Sequence, residues 1–370
     1  MPNNILVLTN NIGGLFSFRK EVIKAVSDVG YTVNISAPDV YNNARAEYFE
    51  SIGCNIIKTF FDRRGTNPIA DFGLMIKYWQ IMRNIKPVAV LTYTIKPNVY
   101  GGLAARLSHV PQLANITGLG DSIENGGVMQ KLTLFLYHLG VSKACTLFFQ
   151  NSSNRDFFIN NGICPENKYI ILPGSGVNLD YNKYQRFPVD DGKVRFLFIG
   201  RLLKDKGIEE YFEMAKVIKA KYPTTEFQIL GNVEGPFQEQ LNNLTRTGII
   251  KHLGSTSDVR PYIGAVECTI MPSYHEGMSN VNLESAANGR AVITTNVPGC
   301  RETVEDGLTG IIVNPKDIKA LIDGVERFLS LTYEEKKQMG IEGRKKVEKE
   351  FDRQIVISAY LNEIKSISNV

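Results

Sequence analysis

Two glutamates eight residues apart, Glu276 and Glu284, bracket the stretch Gly277-Met278-Ser279-Asn280. Two cations, Arg201 and Lys206, stand five residues apart in a second loop bounded by Gly200 and Gly207. A carboxylate accepts hydrogen bonds from hydroxyls, an arginine meets a phosphate through two parallel bonds, and a lysine meets it as a compact charge. Ser279 or Asn280 can cap a helix, and backbone N–H groups at a helix start form an anion site. Carboxylates on both sides of such a start suit a ligand with hydroxyls at each end and phosphates between them. A nucleotide sugar is one. The pair does not suit glycoside hydrolysis, which needs carboxyl groups about 5 Å or about 6.5–9.5 Å apart. Eight residues of helix would span about 12 Å.

The elements that must hold these groups follow from hydrophobic patterning. Residues 266–272 and 291–295 are short, apolar and rich in β-branched types, so they read as strands, with a loop and a helix between them. Residues 194–199 predict another strand, 200–207 a loop and 208–222 a helix. The chain opens in the same way, with a strand at 4–9, the turn Asn10-Asn11-Ile12-Gly13-Gly14 and a helix ending at Gly30. Strand, Gly turn and helix, begun twice in one chain, predict an α/β protein of two doubly wound, Rossmann-like domains. The first is expected over 1–180 and the second over 190–350, joined by a polar linker at 179–193. A final amphipathic helix begins at 353. Gly13 and Gly14 allow backbone approach to a ligand, but their spacing is not that of a dinucleotide-binding turn.

In this order, the motifs Gly200-Arg201-Leu202-Leu203-Lys204-Asp205-Lys206-Gly207, Glu276 with Glu284, and Pro298-Gly299-Cys300-Arg301-Glu302 resemble those of glycosyltransferase family four. Those are retaining enzymes of the GT-B fold, and the likeness is strongest over 194–313. It implies two domains facing a cleft, with helix 353–370 crossing back onto the first. It implies that Glu276 contacts the transferred sugar, Glu284 the nucleotide ribose, and Arg201 and Lys206 the donor diphosphate. Arg201, Lys206 and Glu276 are the expected catalytic set. Gly13, Gly14, Gly200, Gly231, Gly277, Met278, Ser279, Asn280 and Glu284 are expected to bind the donor, and Arg19 and Thr117 to lie on the acceptor side. Thr117 stands where many family members place a histidine near the transferred sugar.

A nucleotide-sugar donor, with UDP the expected nucleotide, and a glycan acceptor on a polyprenyl diphosphate follow from the resemblance. So does a front-face transfer in which the leaving phosphate oxygen takes the acceptor's proton. No metal or other cofactor is expected, because Asp190-Asp191 falls in the linker and is no DxD metal handle. A GT-B epimerase or phosphorylase, or a non-catalytic nucleotide-sugar-binding subunit, are the competing readings. The four motif residues Arg201, Lys206, Glu276 and Glu284 together argue against the last.

Bulk composition agrees with an ordinary globular chain of 370 residues, 43% hydrophobic and 22% charged. The net charge of +4 is uneven: residues 1–188 hold 18 Lys and Arg against 12 Asp and Glu, and the remainder 24 against 26. A basic first half expects an anionic partner. No nucleic-acid motif accompanies it, so an anionic membrane surface is favoured, placing the protein in the cytoplasm and peripherally on the inner leaflet. Strand 4–9 begins at once, so no secretory leader is expected. Residues 126–147 are densely apolar between Lys131 and Lys143, and read either as core or as an interfacial helix. Five scattered cysteines, Cys54, Cys145, Cys164, Cys268 and Cys300, are expected as buried thiols.

Overall fold

The computed structural model describes residues 3–368 apart from 64, 66, 119–126 and 165–166. The chain divides into two compact units, Met1–Ser175 with Gln354–Val370, and Gly176–Arg353. In unit 1, β1 (Asn4–Leu8), β2 (Thr32–Ala37), β3 (Asn55–Lys58), β4 (Ala89–Tyr93), β5 (Gln112–Ile116), β6 (Thr146–Phe149) and β7 (Tyr169–Ile171) form a parallel sheet in the order β3-β2-β1-β4-β5-β6-β7. The helices between them are α1 (Ile12–Asp28), α2 (Ala44–Ser51), α3 (Pro68–Ile85), α4 (Gly102–Leu107), α5 (Gly127–Val141) and α6 (Ser152–Asn160).

Unit 2 repeats the plan. Strands β8 (Val194–Ile199), β9 (Thr225–Leu230), β10 (Ile250–His252), β11 (Cys268–Met271), β12 (Ala291–Thr295) and β13 (Gly310–Val313) run parallel in the order β10-β9-β8-β11-β12-β13. They alternate with α7 (Ile208–Lys221), α8 (Gln238–Arg246), α9 (Arg260–Gly264), α10 (Asn280–Ala287), α11 (Ile318–Leu329) and α12 (Tyr333–Glu350). The last helix, α13 (Arg353–Ser368), returns to unit 1. Every residue of β4, β5, β6, β11 and β12 is buried. That is the condition of a parallel sheet covered on both faces, and it explains the unbroken apolar runs in the sequence.

Strand order reverses between β1 and β4 in unit 1, and between β8 and β11 in unit 2. Open α/β sheets bind ligands outside the carboxyl ends of the strands at such points. The unit 2 core beneath its reversal is aromatic: Phe196 stacks on Phe227 with centroids 5.3 Å apart, and Phe198, Tyr211 and Phe212 pack around them. In unit 1, α13 contributes Val356, Ile357, Tyr360 and Ile364 to the same core as Ile5, Val7 and Leu113. Tyr360 stacks on Phe148 and gives its hydroxyl to Asn115.

Several expectations change. The stretch expected as a linker, 179–193, is a built part of unit 2. Arg290 is fully buried there and donates to the carbonyls of Gln185, Asn288, Gly289, Arg186 and Gly264 at 2.8–3.1 Å. Gln185 adds a bond to Asn288 Oδ1 at 2.6 Å. The segment reads as polar because it offers backbone carbonyls, and one distant guanidinium satisfies them. Between β4 and α4 the chain makes a π-helical turn, Pro97–Gly101. Asn98 pins that turn inward, accepting from the Thr92 hydroxyl at 2.7 Å and donating to the Asn115 carbonyl at 2.8 Å.

Cys145, expected buried, is exposed, and the other four cysteines are buried; all five are free thiols. The apolar segment 126–147 is only partly core. Thr133, Tyr137, Gly140 and Val141 of α5 face the core, whereas Val128, Met129, Leu132 and Phe135 face outward. Leu119 and Gly120 of the loop after β5, and Gly126, lie outside the described residues.

Candidate functional site

The loops that follow β8 and β11 carry the expected chemistry. Lys206 sits in a single 3-10 turn, Lys204–Lys206, and Gly207 then takes φ +71° to begin α7. A side chain at Gly207 could not be accommodated, since its Cβ would lie 2.1 Å from the Pro272 carbonyl oxygen. That close approach brings the two loops together. Lys206 Nζ donates to Glu276 Oε1 at 2.7 Å, and the Ser273 hydroxyl donates to the same oxygen at 2.9 Å. Both side chains of the ion pair are mostly buried, 16% and 17% exposed. One carboxylate oxygen of Glu276 is thereby oriented by two donors, and Oε2 has no hydrogen-bond partner among the described residues.

Arg201 does not join this pair. Its Nη1 donates to Glu234 at 3.0 Å, with both partners about half exposed. An exposed pair of this kind contributes about 0–1 kcal/mol, so Arg201 can exchange Glu234 for a phosphate at little cost. The loops after β8 and β9 are held in contact by Leu202 N to Asn232 O at 2.9 Å. A Cβ on Gly231 would fall 1.8 Å from the Gly200 carbonyl oxygen. His252 supports that turn, its Nε2 lying 3.0 Å from the Gly231 carbonyl.

After β11, Ser279 caps α10 by accepting from Asn282 N at 3.3 Å, and its own amide donates to Gly299 O at 2.7 Å. Asn280 is thus the first helical residue, and Gly277 lies in the loop before it. The helical span of about 12 Å expected between the glutamates does not apply, because half of the interval precedes α10. Met278, expected to bind the donor, turns its side chain inward among Val177, Leu283, Ala286, Val347 and Phe351. Glu284 makes no side-chain hydrogen bond or ion pair among the described residues. Burial pushes its carboxyl up to about 7, with Arg353 pulling it down and Asp258 pushing it further up.

In unit 1, Gly13 and Gly14 open α1. Asn11 caps Gly14 N at 2.8 Å, and Asp39 accepts from Ile12 N at 2.9 Å. Arg45, which the sequence reading passed over, reaches the same turn: its Nη1 lies 2.8 Å from where a Gly13 Cβ would be. Thr117 is exposed at the carboxyl end of β5. Arg19, expected on the acceptor side, is instead buried between the rings of Tyr93 and Tyr360. It lies on the buried face of α1, with Leu15, Val22 and Ile23. Thr94, just past β4, holds φ +73° with its buried hydroxyl unpartnered among the described residues. A β-branched residue rarely adopts that conformation.

Sequence reading also missed Ser273, Tyr274, Glu210 and Glu234. Ser273 and Tyr274 adjoin Glu276 and could have been weighed with it. Glu210 and Glu234 carry no local signal, since helical and loop glutamates are commonplace.

The model for glycosyl transferases group 1 matches residues 182–346, and that for glycosyl transferase 4-like domains matches residues 6–151. Over 85% of its length the chain is 28% identical to the N,N'-diacetylbacillosaminyl-diphospho-undecaprenol alpha-1,3-N-acetylgalactosaminyltransferase of Campylobacter jejuni, covering 86% of that protein. It is 27% identical to the capsular polysaccharide biosynthesis glycosyltransferase CapM of Staphylococcus aureus, over 78% of this chain and 79% of that one. Anabaena Alr3699/HepE in complex with UDP-glucose superposes with a TM-score of 0.78 at 17% identity, over 99% of this chain and 100% of that one. With the two family models matched in order, one to each Rossmann-like unit, the chain belongs to the glycosyltransferases, with a glycosyl transferase 4-like first domain and a glycosyl transferases group 1 second domain.

Proposed function

We propose that this glycosyltransferase moves a hexose or N-acetylhexosamine from a UDP-sugar to a glycan carried on a polyprenyl diphosphate, with retention of configuration. The observation that carries the reading is the Lys206–Glu276–Ser273 group at the β8/β11 strand reversal. There a fixed cation and an oriented carboxylate share one point. Breaking the bond from sugar to diphosphate builds negative charge on the phosphate, and cations held in advance stabilise that charge more than the ground state. Lys206 is held in place, and Arg201 is free to swing from its weak surface pair. Glu276 Oε2 accepts from a hydroxyl of the transferred sugar, and the ionised Glu284 accepts from the two ribose hydroxyls. The two cations do the work that a metal ion does elsewhere, and the leaving oxygen takes the acceptor's proton.

UDP as the nucleotide and a lipid-linked acceptor rest on likeness. The Anabaena relative was solved with UDP-glucose, and the name of the Campylobacter relative specifies a diphospho-undecaprenol acceptor. A peripheral position on the inner leaflet rests on surface chemistry. Besides the outward Val128, Met129, Leu132 and Phe135 of α5, unit 1 exposes Ile69, Phe72 and Ile76 on one stripe of α3, and Phe60 before it. Monomeric proteins rarely expose so much apolar surface without a use, and Lys131 lies within the α5 set while Lys143 follows the helix. No helix among the described residues is long and apolar enough to cross a membrane.

A thermal-shift panel of UDP-, GDP- and ADP-sugars, followed by transfer assays on polyprenyl-diphosphate sugars, tests the reading. Selective stabilisation by UDP-sugars is expected, because a ligand bound only by the native state raises the melting temperature. Turnover of the donor without an acceptor product would favour an epimerase or hydrolase, and stabilisation by no nucleotide sugar would end the proposal.

A further inference from the structure

Building on that reading of the donor site, we propose that Tyr274 and Glu210 are positioning residues: their bond sets the distance between Lys206 and Glu276. Lys206 and Glu276 stand on different loops, and an ion pair of two long side chains does not by itself hold those loops in register. Tyr274 does so from both its backbone and its side chain. Its amide donates to the Asp205 carbonyl at 2.8 Å, which fastens the Glu276 loop to the turn that carries Lys206. Its hydroxyl donates to Glu210 Oε1 at 2.6 Å. Glu210 lies in the first turn of α7, three residues after Gly207, so the same helix that starts from the Lys206 turn also anchors the Glu276 loop.

The energetics of Glu210 favour positioning over stability. The residue is 8% exposed, and its Oε2 is buried without a hydrogen-bond partner among the described residues. A half-satisfied buried carboxylate is destabilising relative to a packed apolar pair. Holding one there makes sense where direction matters, since a hydroxyl–carboxylate bond fixes an angle that an apolar contact would leave loose. Burial and the Glu210 carboxylate push the Tyr274 phenol upward, so it stays protonated and remains the donor. The Lys316 ammonium, 4.9 Å from the centre of the Tyr274 ring, covers its other side. The Ser273 hydroxyl then completes the arrangement from the preceding residue, 2.9 Å from Glu276 Oε1.

The test compares Tyr274→Phe, Glu210→Gln, Glu210→Ala and the double variant Tyr274→Phe/Glu210→Ala in the full chain. The readouts are UDP affinity by calorimetry, melting temperature, and kcat and donor KM in the transfer assay. Tyr274→Phe should lower kcat roughly tenfold, a misplacement well under 1 Å, while UDP affinity stays within about twofold. Glu210→Gln keeps an oxygen that accepts from the Tyr274 hydroxyl and should retain most of the rate. Glu210→Ala should match Tyr274→Phe, and the double variant should be no slower than either single one, because both changes remove the same bond.

Three results would overturn the proposal: a Tyr274→Phe enzyme with unchanged kcat, a Glu210→Gln enzyme as slow as Glu210→Ala, or single effects that multiply in the double variant. If Tyr274→Phe does not fold, the contrast between Glu210→Gln and Glu210→Ala decides alone. A wild-type protein that binds no nucleotide sugar would instead remove the donor-site reading, and this proposal with it. Normal wild-type transfer with indifferent variants would remove the positioning role only.

Discussion

Lys206 Nζ lies 2.7 Å from Glu276 Oε1, across two loops whose residues are 70 positions apart in the chain. The bond joins the cation expected at the donor diphosphate to the carboxylate expected at the sugar, so on the proposed reading one connected group would meet both the phosphate and the sugar end of a donor. Arg201, five residues before Lys206, faces a different carboxylate, Glu234.

The two cations should therefore differ on replacement. Lys206→Ala is expected to lower kcat by about 10²–10³-fold, the scale for losing one preorganised charge at the site of developing charge. Arg201→Ala should slow transfer less, since its half-exposed side chain is not held in advance as that of Lys206 is. Turnover at saturating donor is the measurement. A change confined to donor KM would make either residue an ordinary binding group.

The glutamates should divide their work. Glu284→Gln is expected to weaken UDP binding, because an amide turns one acceptor into a donor toward the ribose hydroxyls. Glu276→Gln should leave UDP affinity within a few-fold and cut sugar transfer. Calorimetry with UDP on both variants checks this, and equal losses of affinity would contradict the assignment.

Burial raises the Glu284 carboxyl to about 7, so on the proposed assignment nucleotide binding should depend on pH. The folded pKa lies above the unfolded one, so the free protein holds the extra proton between the ordinary carboxylate range and about 7. Its stability falls as pH rises through that window. If ionised Glu284 accepts from the ribose hydroxyls as proposed, UDP affinity should rise with pH toward 7 and level off above, by up to about tenfold per pH unit on the acid side. Titrations from pH 5.5 to 8 test the slope, and Glu284→Gln should flatten it.

Membrane association should have two separable parts. Basic groups near an anionic surface contribute about 1 kcal/mol each and are screened by salt, whereas apolar insertion resists salt. Lys131→Glu with Lys143→Glu should release protein from anionic liposomes at low salt. Leu132→Ser with Phe135→Ser, and separately Phe72→Ser, should remove the salt-resistant fraction. Protein that ignores anionic liposomes at low salt would refute the peripheral location.

Arg290→Ala should destabilise unit 2 by about 3 kcal/mol or more, because it leaves buried carbonyls unpaired and a cavity behind. Loss of melting temperature, together with protease cleavage in 179–193, is the expected outcome. A variant that melts like the wild type would return that segment to the status of a loose linker.

Much of this was legible from residue order alone. The alternation of strands and helices, a cap at Ser279 or Asn280, and the close spacing within each motif, Arg201 to Lys206 and Glu276 to Glu284, rest on features local in the chain. Backbone periodicity and capping act at that scale, so a one-dimensional reading reaches them. Tertiary structure decided which side chains face which way. Met278 turned into the core, Arg19 was buried by α13 arriving from the far end of the chain, and Cys145 was left in the open. It also paired Lys206 with Glu276 but Arg201 with Glu234, and brought Glu210 to Tyr274. Those outcomes depend on contacts between residues tens to hundreds of positions apart. Such contacts exist only once parallel strands have been ordered into a sheet, because sheet order, not sequence distance, determines which loops meet at a strand reversal.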